Sequence, residues 1–353
     1  MKFSKILCFI LLTLLLFSCS SDIDKHQLNE NNILQVGKDS LSITVSEEFL
    51  YLDASESVAT SSVPFTQVKA FIADDDYLKQ EFVQGEPFIF LEVPKHKDYI
   101  SGKIIYENAT EENMNIRSLF LQGNYISEIK LSDSEFWKTA IEYEVPAYSS
   151  VTINIDIKWD DQGMQELTFF PLDLSSDPNR YDGGSLSTYR FFVQSKDITL
   201  TNDLIEKQSF DVNVEELPED VDLFPIPLWL DDEGIEIQHD LLNEQLITKQ
   251  PIKSIQLAAT PYNTNIDLVM IDEYGNTKII AENVSIKEKE STIFNIEQKD
   301  LVELKSKDSR QFLLVFNNRE EEILADLKVL NLYKKPFFTS YQGVIEFYKY
   351  KNE

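Results

Sequence analysis

Cysteine, histidine and glycine are all scarce in this chain: 2 Cys, 3 His and 10 Gly among 353 residues. Two cysteines, Cys8 and Cys19, build neither a disulfide framework nor a Cys-rich zinc site. The histidines, His26, His96 and His239, sit in no H-x-x-x-H or H-E-x-x-H context, which removes the common His-based zinc sites. Basic residues are few as well. The balance of 32 Lys+Arg against 61 Asp+Glu gives a formal net charge of −29, and the basic residues form no stripe, so nucleic acid is excluded as a partner. The chain also lacks a G-x-S-x-G elbow, a P-loop and a G-x-G-x-x-G turn, which leaves nucleophilic and nucleotide chemistry without a motif. What it does have is apolar residues at 42% and aromatics at 12%. That is enough to bury real cores, and a wholly disordered chain is ruled out. At this length two folded domains are the default.

The N-terminus carries a targeting pattern. Met1-Lys2-Phe3-Ser4-Lys5 is followed by an apolar run over 6–17 and then by Ser18-Cys19-Ser20-Ser21. A dozen apolar residues fall short of the roughly 20 that span a bilayer as a helix, so the segment reads as a cleaved signal, 1–18. Leu16-Phe17-Ser18-Cys19 resembles the lipobox of bacterial lipoproteins, with Phe17 where that motif usually has a small residue. The resemblance implies cleavage before Cys19 and a diacylglycerol on its thiol. Ser20-Ser21-Asp22-Ile23-Asp24 is similar to the export signals of surface lipoproteins in the Bacteroidetes. This implies anchorage in the outer membrane facing the cell surface, with the membrane as a partner through the lipid. The polar stretch 19–37 reads as a flexible tether.

The rest of the chain predicts an all-β fold of tandem antiparallel sandwiches. In 151–159 the residues Val151, Ile153, Ile155, Ile157 and Trp159 alternate with polar ones, the period of a strand with one buried face. Further strands are expected at 39–45, 87–93, 99–106, 114–121, 165–170, 189–194, 252–258, 265–271, 277–281, 311–317, 325–332 and 343–349, with turns at Gln122-Gly123-Asn124 and Tyr274-Gly275-Asn276. Helical patterns are short: 74–82, 132–139 with Ser132 as N-cap, and 297–305. A first sandwich is expected over 38–200 with its core module at 84–196, and a second over 226–353. Between them, 201–225 is an acidic, Pro-containing linker. The strand pattern of the first resembles the Ig-like modules of bacterial surface proteins.

Carboxylates are so numerous that pairs of them arise by chance. A glycosidase needs two across a cleft, which sequence spacing does not reveal. Asp74-Asp75-Asp76, Asp160-Asp161, the 173–182 segment and Asp231-Asp232-Glu233 are where Ca²⁺ would bind or, equally, solvated acidic loops. No other cofactor is expected. The 173–184 segment is a long polar loop offering Asp177, Arg180, Tyr181 and Asp182 to a ligand. Trp137 is the tryptophan placed to stack on a sugar, whereas Trp159 reads as core and Trp229 as an interface residue. Two functions remain. One is a non-catalytic surface protein that binds glycan or protein, or serves as an envelope component. The other is a lipid-anchored carbohydrate hydrolase using paired carboxylates.

Overall fold

A computed structural model describes residues 32–37, 40–52, 67–83, 86–160, 165–174, 189–195, 225–237, 246–248, 251–260, 263–297, 301, 310–317 and 341–347. The first half contributes β1 (Ile33–Gln35), β2 (Ile43–Ser46), β3 (Gln67–Ala73), β4 (Leu78–Val83), β5 (Glu86–Val93), β6 (Tyr99–Asn108), β7 (Met114–Gln122), β8 (Tyr125–Ser127), β9 (Ile129–Leu131), β10 (Ala140–Val145), β11 (Ser149–Lys158), β12 (Gln165–Asp173) and β13 (Tyr189–Ser195). Sheet I has the order β2-β11-β6-β3, with β9 also on β11. Sheet II has the order β1-β10-β7-β12-β13-β5-β4, with β8 on β7. The alternation of β11 does what its period requires. Val151, Ile153, Ile155 and Ile157 are fully buried and meet Phe120, Leu167, Phe169 and Val193 of sheet II in one core. The fold is all-β and sandwich-like, as the sequence predicts.

The second half contributes β14 (Pro227–Leu230), β15 (Leu246–Thr248), β16 (Ser254–Leu257), β17 (Thr264–Asp272), β18 (Thr277–Ile286), β19 (Thr292–Asn295), β20 (Gln311–Asn317) and β21 (Tyr341–Phe347). Sheet III is β15-β21-β20-β17-β18 and sheet IV is β14-β16-β19. Trp229, Ile255 and Leu257 of sheet IV share a core with Leu268, Met270, Leu313 and Val315 of sheet III. The hairpin turn between β17 and β18 is set by Asp272, whose Oδ1 accepts the amides of Tyr274 and Asn276, each at 2.9 Å, while Gly275 takes φ +79°.

The two sandwiches are stacked. Leu119, Leu121, Phe170 and Leu172 on the far face of sheet II form a third core with Val269, Ile271, Phe312, Leu314 and Phe316 on the far face of sheet III. The layers therefore run I, II, III, IV, and β7, β12, β17 and β20 are buried on both faces. Their sequences carry the corresponding signal, continuous runs such as Leu268-Val269-Met270-Ile271 and Phe312-Leu313-Leu314-Val315-Phe316 in place of alternation. Polar ties rim this interface. Arg117 pairs with Glu142 at 2.5 Å, lies 3.2 Å from Glu273 and covers the Tyr274 ring at 4.6 Å. Asn124 Nδ2 donates to Asp267 at 2.9 Å, and Thr139 Oγ1 to the Tyr274 carbonyl at 2.9 Å. Arg310 grips Glu346 through two bonds and donates to the Asp173 carbonyl at 2.6 Å.

Several local expectations are corrected. Within 74–82 the chain makes a turn and then strand β4, because Tyr77 is drawn into the first core and Leu78 pairs with Leu91. A marginal nine-residue helix cannot compete with that pairing. The 132–139 segment is an irregular loop that closes back on β9, with Ile129 and Lys138 exchanging backbone bonds of 2.6 and 2.8 Å. Of 297–305, Glu297 and Leu301 are described, and only Leu301 has helical backbone. The tether expected over 19–37 ends sooner, since Ile33–Gln35 pair in parallel with β10. Residues 38–83 add strands to the first sandwich. The 325–332 strand and 201–224 of the linker lie outside the described residues.

Candidate functional site

The wet face of sheet I carries a row of rings and ammonium groups, continued past its Tyr99 end by Lys97 and the core residue Tyr77. Tyr99 starts β6, Lys130 sits on β9 and Lys158 ends β11. Register brings them together, because Lys158 pairs with Tyr99 and Asp156 with Lys130. Trp137 joins through the 132–138 loop. Lys97 Nζ lies 4.8 Å from the Tyr77 ring and 5.7 Å from that of Tyr99, and Lys130 Nζ lies 5.8 Å from Tyr99 and 5.2 Å from Trp137. Lys158 Nζ ends the row 6.0 Å from Trp137. Cations over ring faces are held by the ring quadrupole.

Most of the charge in this row is matched locally. Lys130 pairs with Asp156 at 3.2 Å, and the same carboxylate accepts the Ser101 hydroxyl at 2.8 Å. Lys158 is hydrogen-bonded to Glu128, which raises its pKa. Lys97 is also raised, first by its hydrogen bond to the Tyr77 hydroxyl at 2.9 Å. Trp137 is half-buried, and its neighbour Phe136 is 73% exposed at the loop tip. Trp159 is buried in the first core, as the sequence reading has it, whereas Trp229, expected at an interface, is buried in the second core between sheets III and IV.

The 173–184 loop starts at the other end of the sandwich. Asp173 pairs with Ile116, near the Met114–Val145 rung, and the Asn108 amide reaches the Val145 carbonyl from the Asn108 end of β6. Trp137 is at the Tyr99 end. The ten residues of β11 separate the two ends, about 30 Å at the usual rise per residue. Trp137 and the base of this loop therefore do not form one site. Asp177, Arg180, Tyr181 and Asp182 lie outside the described residues, as does Cys19. Asp173 itself is buried, and Leu174 donates to the Asn115 carbonyl at 2.8 Å. Beneath it Lys69 is buried in the core side of sheet I. Burial lowers its pKa to about 8, the Asp173 charge acts in the opposite sense, and Arg310 adds to the lowering.

The same end exposes Leu50, Tyr51 and Tyr148 on rigid supports. Glu107, fully buried, accepts the successive amides of Leu50, Tyr51 and Leu52 at 2.5 to 3.2 Å. Asn108 donates to the Glu112 and Pro146 carbonyls and accepts from Thr110. An open cleft of about 590 Å³ lies between the β10 and β2 edges, walled by Val36, Ile43, Val45, Glu142 and Glu144. Its Glu142 is the partner of Arg117. Among the acidic loops, Asp231 Oδ1 accepts the amides of Glu233 and Ile235, a turn that satisfies itself, and Asp74-Asp75-Asp76 is exposed. Among the described residues no group of three or more His, Cys, Asp or Glu is placed to hold a metal ion. His96 is exposed in the turn closed by Lys97 donating to the Pro94 carbonyl.

The residues that sequence reasoning missed are Tyr99, Lys130 and Lys158. All three are visible as outward positions of alternating strands, but only the register shows them to be neighbours.

No family model and no curated protein matches the chain. Among solved structures it is similar to the N-terminal domain of PorA, at 14% identity and a TM-score of 0.20 over 30% of this chain and 87% of that one. It is also similar to a FixG-related protein from Vibrio parahaemolyticus, at 14% identity and 0.21 over 37% and 98%. A third is red sea bream transglutaminase, at 7% identity and 0.18 over 78% and 32%. Likenesses of this size assign no activity to the chain.

Proposed function

We propose that this protein is a non-catalytic lipoprotein, anchored through Cys19 in the outer membrane, that presents a loop-end surface to a glycan or protein outside the cell. One observation supports this reading above the others. Asn32, on the Cys19 side of the fold, lies at the Tyr99 end: its carbonyl accepts the Thr139 amide at 3.1 Å, two residues from Trp137. A chain rising from an anchor at Cys19 would meet the described fold at its Tyr99 end. The opposite end, where Asp173 and Tyr148 lie, is about 30 Å farther from that entry point. That end carries exposed aromatic and apolar side chains on a backbone locked by Glu107 and Asn108, the rigid support that binding loops need.

Cys19→Ala is expected to move the protein from the membrane to the soluble fraction, and unchanged retention overturns the anchoring. Binding to an array of glycans, with and without Ca²⁺ and with reducing-sugar release followed in the same samples, tests the rest. Retention without release supports a binding protein, and release of sugar replaces it with the paired-carboxylate hydrolase.

A further inference from the structure

The site of attachment has a consequence for Trp137. Twelve residues separate Cys19 from Asn32, and whatever path they take they span at most about 45 Å. The Tyr99 end of the first sandwich, where they finish, therefore lies within that reach of the lipid, which leaves contact between the two open. Phe136, 73% exposed, projects there beside half-buried Trp137. Leu41 is 91% exposed and belongs to the same region, since the Ser42 carbonyl accepts the Asn154 amide while the Asn154 carbonyl accepts the Ser132 amide. The exposed leucine and the aromatic loop flank one residue of β11.

We propose that this surface, Phe136 and Trp137 with Lys130 and Lys158 behind them, docks on the bilayer that holds the Cys19 lipid. The proposal rests on the anchoring given above. Its physical basis is the chemistry of the membrane interface, where an indole or phenyl ring settles at headgroup depth and a lysine lays its stem along the apolar layer with its ammonium toward phosphate. Charge also fits. The chain as a whole carries −29, which an anionic membrane repels, but on this face Lys130 and Lys158 are matched by Asp156 and Glu128. The loop itself adds exposed Asp133 and Glu135 beside Phe136, set against Lys138, so the ring-bearing patch is far closer to neutral than the −29 of the whole chain. Docking would hold the opposite loop end at a fixed orientation above the membrane.

The test uses the full lipidated protein in vesicles of phosphatidylethanolamine and phosphatidylglycerol with bromine on the acyl chains. Trp159 and Trp229 are buried at 4% and 3% exposure, so contact quenching reports chiefly on Trp137, and Trp137→Phe identifies its share. The expected result is quenching by the brominated lipid that Trp137→Phe removes and that Phe136→Ser reduces at least twofold, with the circular dichroism unchanged. Vesicle flotation is read on the same samples. Protein that floats with the vesicles yet shows no lipid quenching, with Trp137 open to aqueous acrylamide, overturns the docking and leaves the anchoring intact. Protein that does not float overturns the anchoring itself, and the docking with it. Protection of Trp137 from acrylamide by a soluble glycan in the absence of lipid also overturns the proposal, in favour of a sugar site.

Discussion

Phe170 on β12 and Phe312 on β20 are both fully buried and meet edge to face, with ring centroids 5.2 Å apart and planes at 86°. One belongs to the first sandwich and the other to the second, so the pair is a direct probe of the stacking of sheets II and III. Replacing either ring by Ala removes its transfer free energy and leaves a cavity, about 3 to 5 kcal/mol. The edge-to-face contact adds about 0.5 to 1.5 kcal/mol beyond the area buried. In a double-mutant cycle, Phe170→Ala and Phe312→Ala together should therefore destabilise by less than the sum of the single changes, by at least the contact energy. The assay is equilibrium unfolding in guanidinium, followed by Trp159 for the first sandwich and by Trp229 for the second, each in a background where the other two tryptophans are Phe. Stacked sandwiches share a cooperative transition, so Phe312→Ala must also lower the midpoint reported by Trp159, although residue 312 is not in that sandwich. The reasoning fails if the Trp159 midpoint stays put and the two substitutions add to within about 0.3 to 0.5 kcal/mol, the behaviour of independent sites.

Three further outcomes are expected. Burial raises the pKa of both Asp272 and Glu273 at the same interface, and a raised carboxyl contributes stability that is complete at low pH and lost as pH climbs through the folded value. Melting temperatures of Glu273→Gln measured from pH 4.5 to 7 should show a shallower fall than wild type, and an identical slope would remove Glu273 from the account. Lys69 is lowered from 10.5 to about 8, so its contribution is present above 10.5 and lost as pH falls through about 8. The wild-type urea midpoint should rise between pH 8 and 10, and Lys69→Met should abolish that rise, a difference on the order of 3 kcal/mol from the linkage of a shift this large. Glu107→Gln replaces one of the two oxygens that accept three backbone amides with a donor NH2 group, which should lower stability by about 1 to 3 kcal/mol. It should also speed hydrogen exchange at Leu50, Tyr51 and Leu52, and unchanged exchange there would refute the anchoring role of the carboxylate.

Much of this molecule is local. Alternation over 151–159 specifies β11 and its buried face, because a period of two leaves one arrangement that hides Val151, Ile153, Ile155 and Ile157. The strand at 311–317 and the turn at Tyr274-Gly275-Asn276 follow equally from short-range chemistry, an apolar run and an Asx-type cap on a glycine that needs positive φ. The all-β class comes from the sum of such segments. The 74–82 and 132–139 segments went the other way, since each had a weak helical pattern that strand pairing with Leu91 or the bridge to Ile129 overrode.

The stacking of the sandwiches and the row from Tyr77 to Lys158 belong to the tertiary structure alone. A run such as 312–316 announces burial on two faces but names no partner, because burial is non-directional and any apolar sheet would serve. The row draws its members from the turn before β4, the turn before β6, β6 itself, β9, the 132–138 loop and β11, separated by as many as 81 positions in sequence. Only the pairing of Lys158 with Tyr99 and of Asp156 with Lys130 brings Tyr99, Lys130 and Lys158 onto one face. The two ends of the first sandwich were likewise assigned by register, which set Trp137 at one and Asp173 at the other. By itself, then, the sequence determined the strands and their buried faces, through a repeat that each segment carries within itself. Which surfaces meet, and which end of the molecule lies beside the point where the chain enters, waited on contacts between segments that no local pattern encodes.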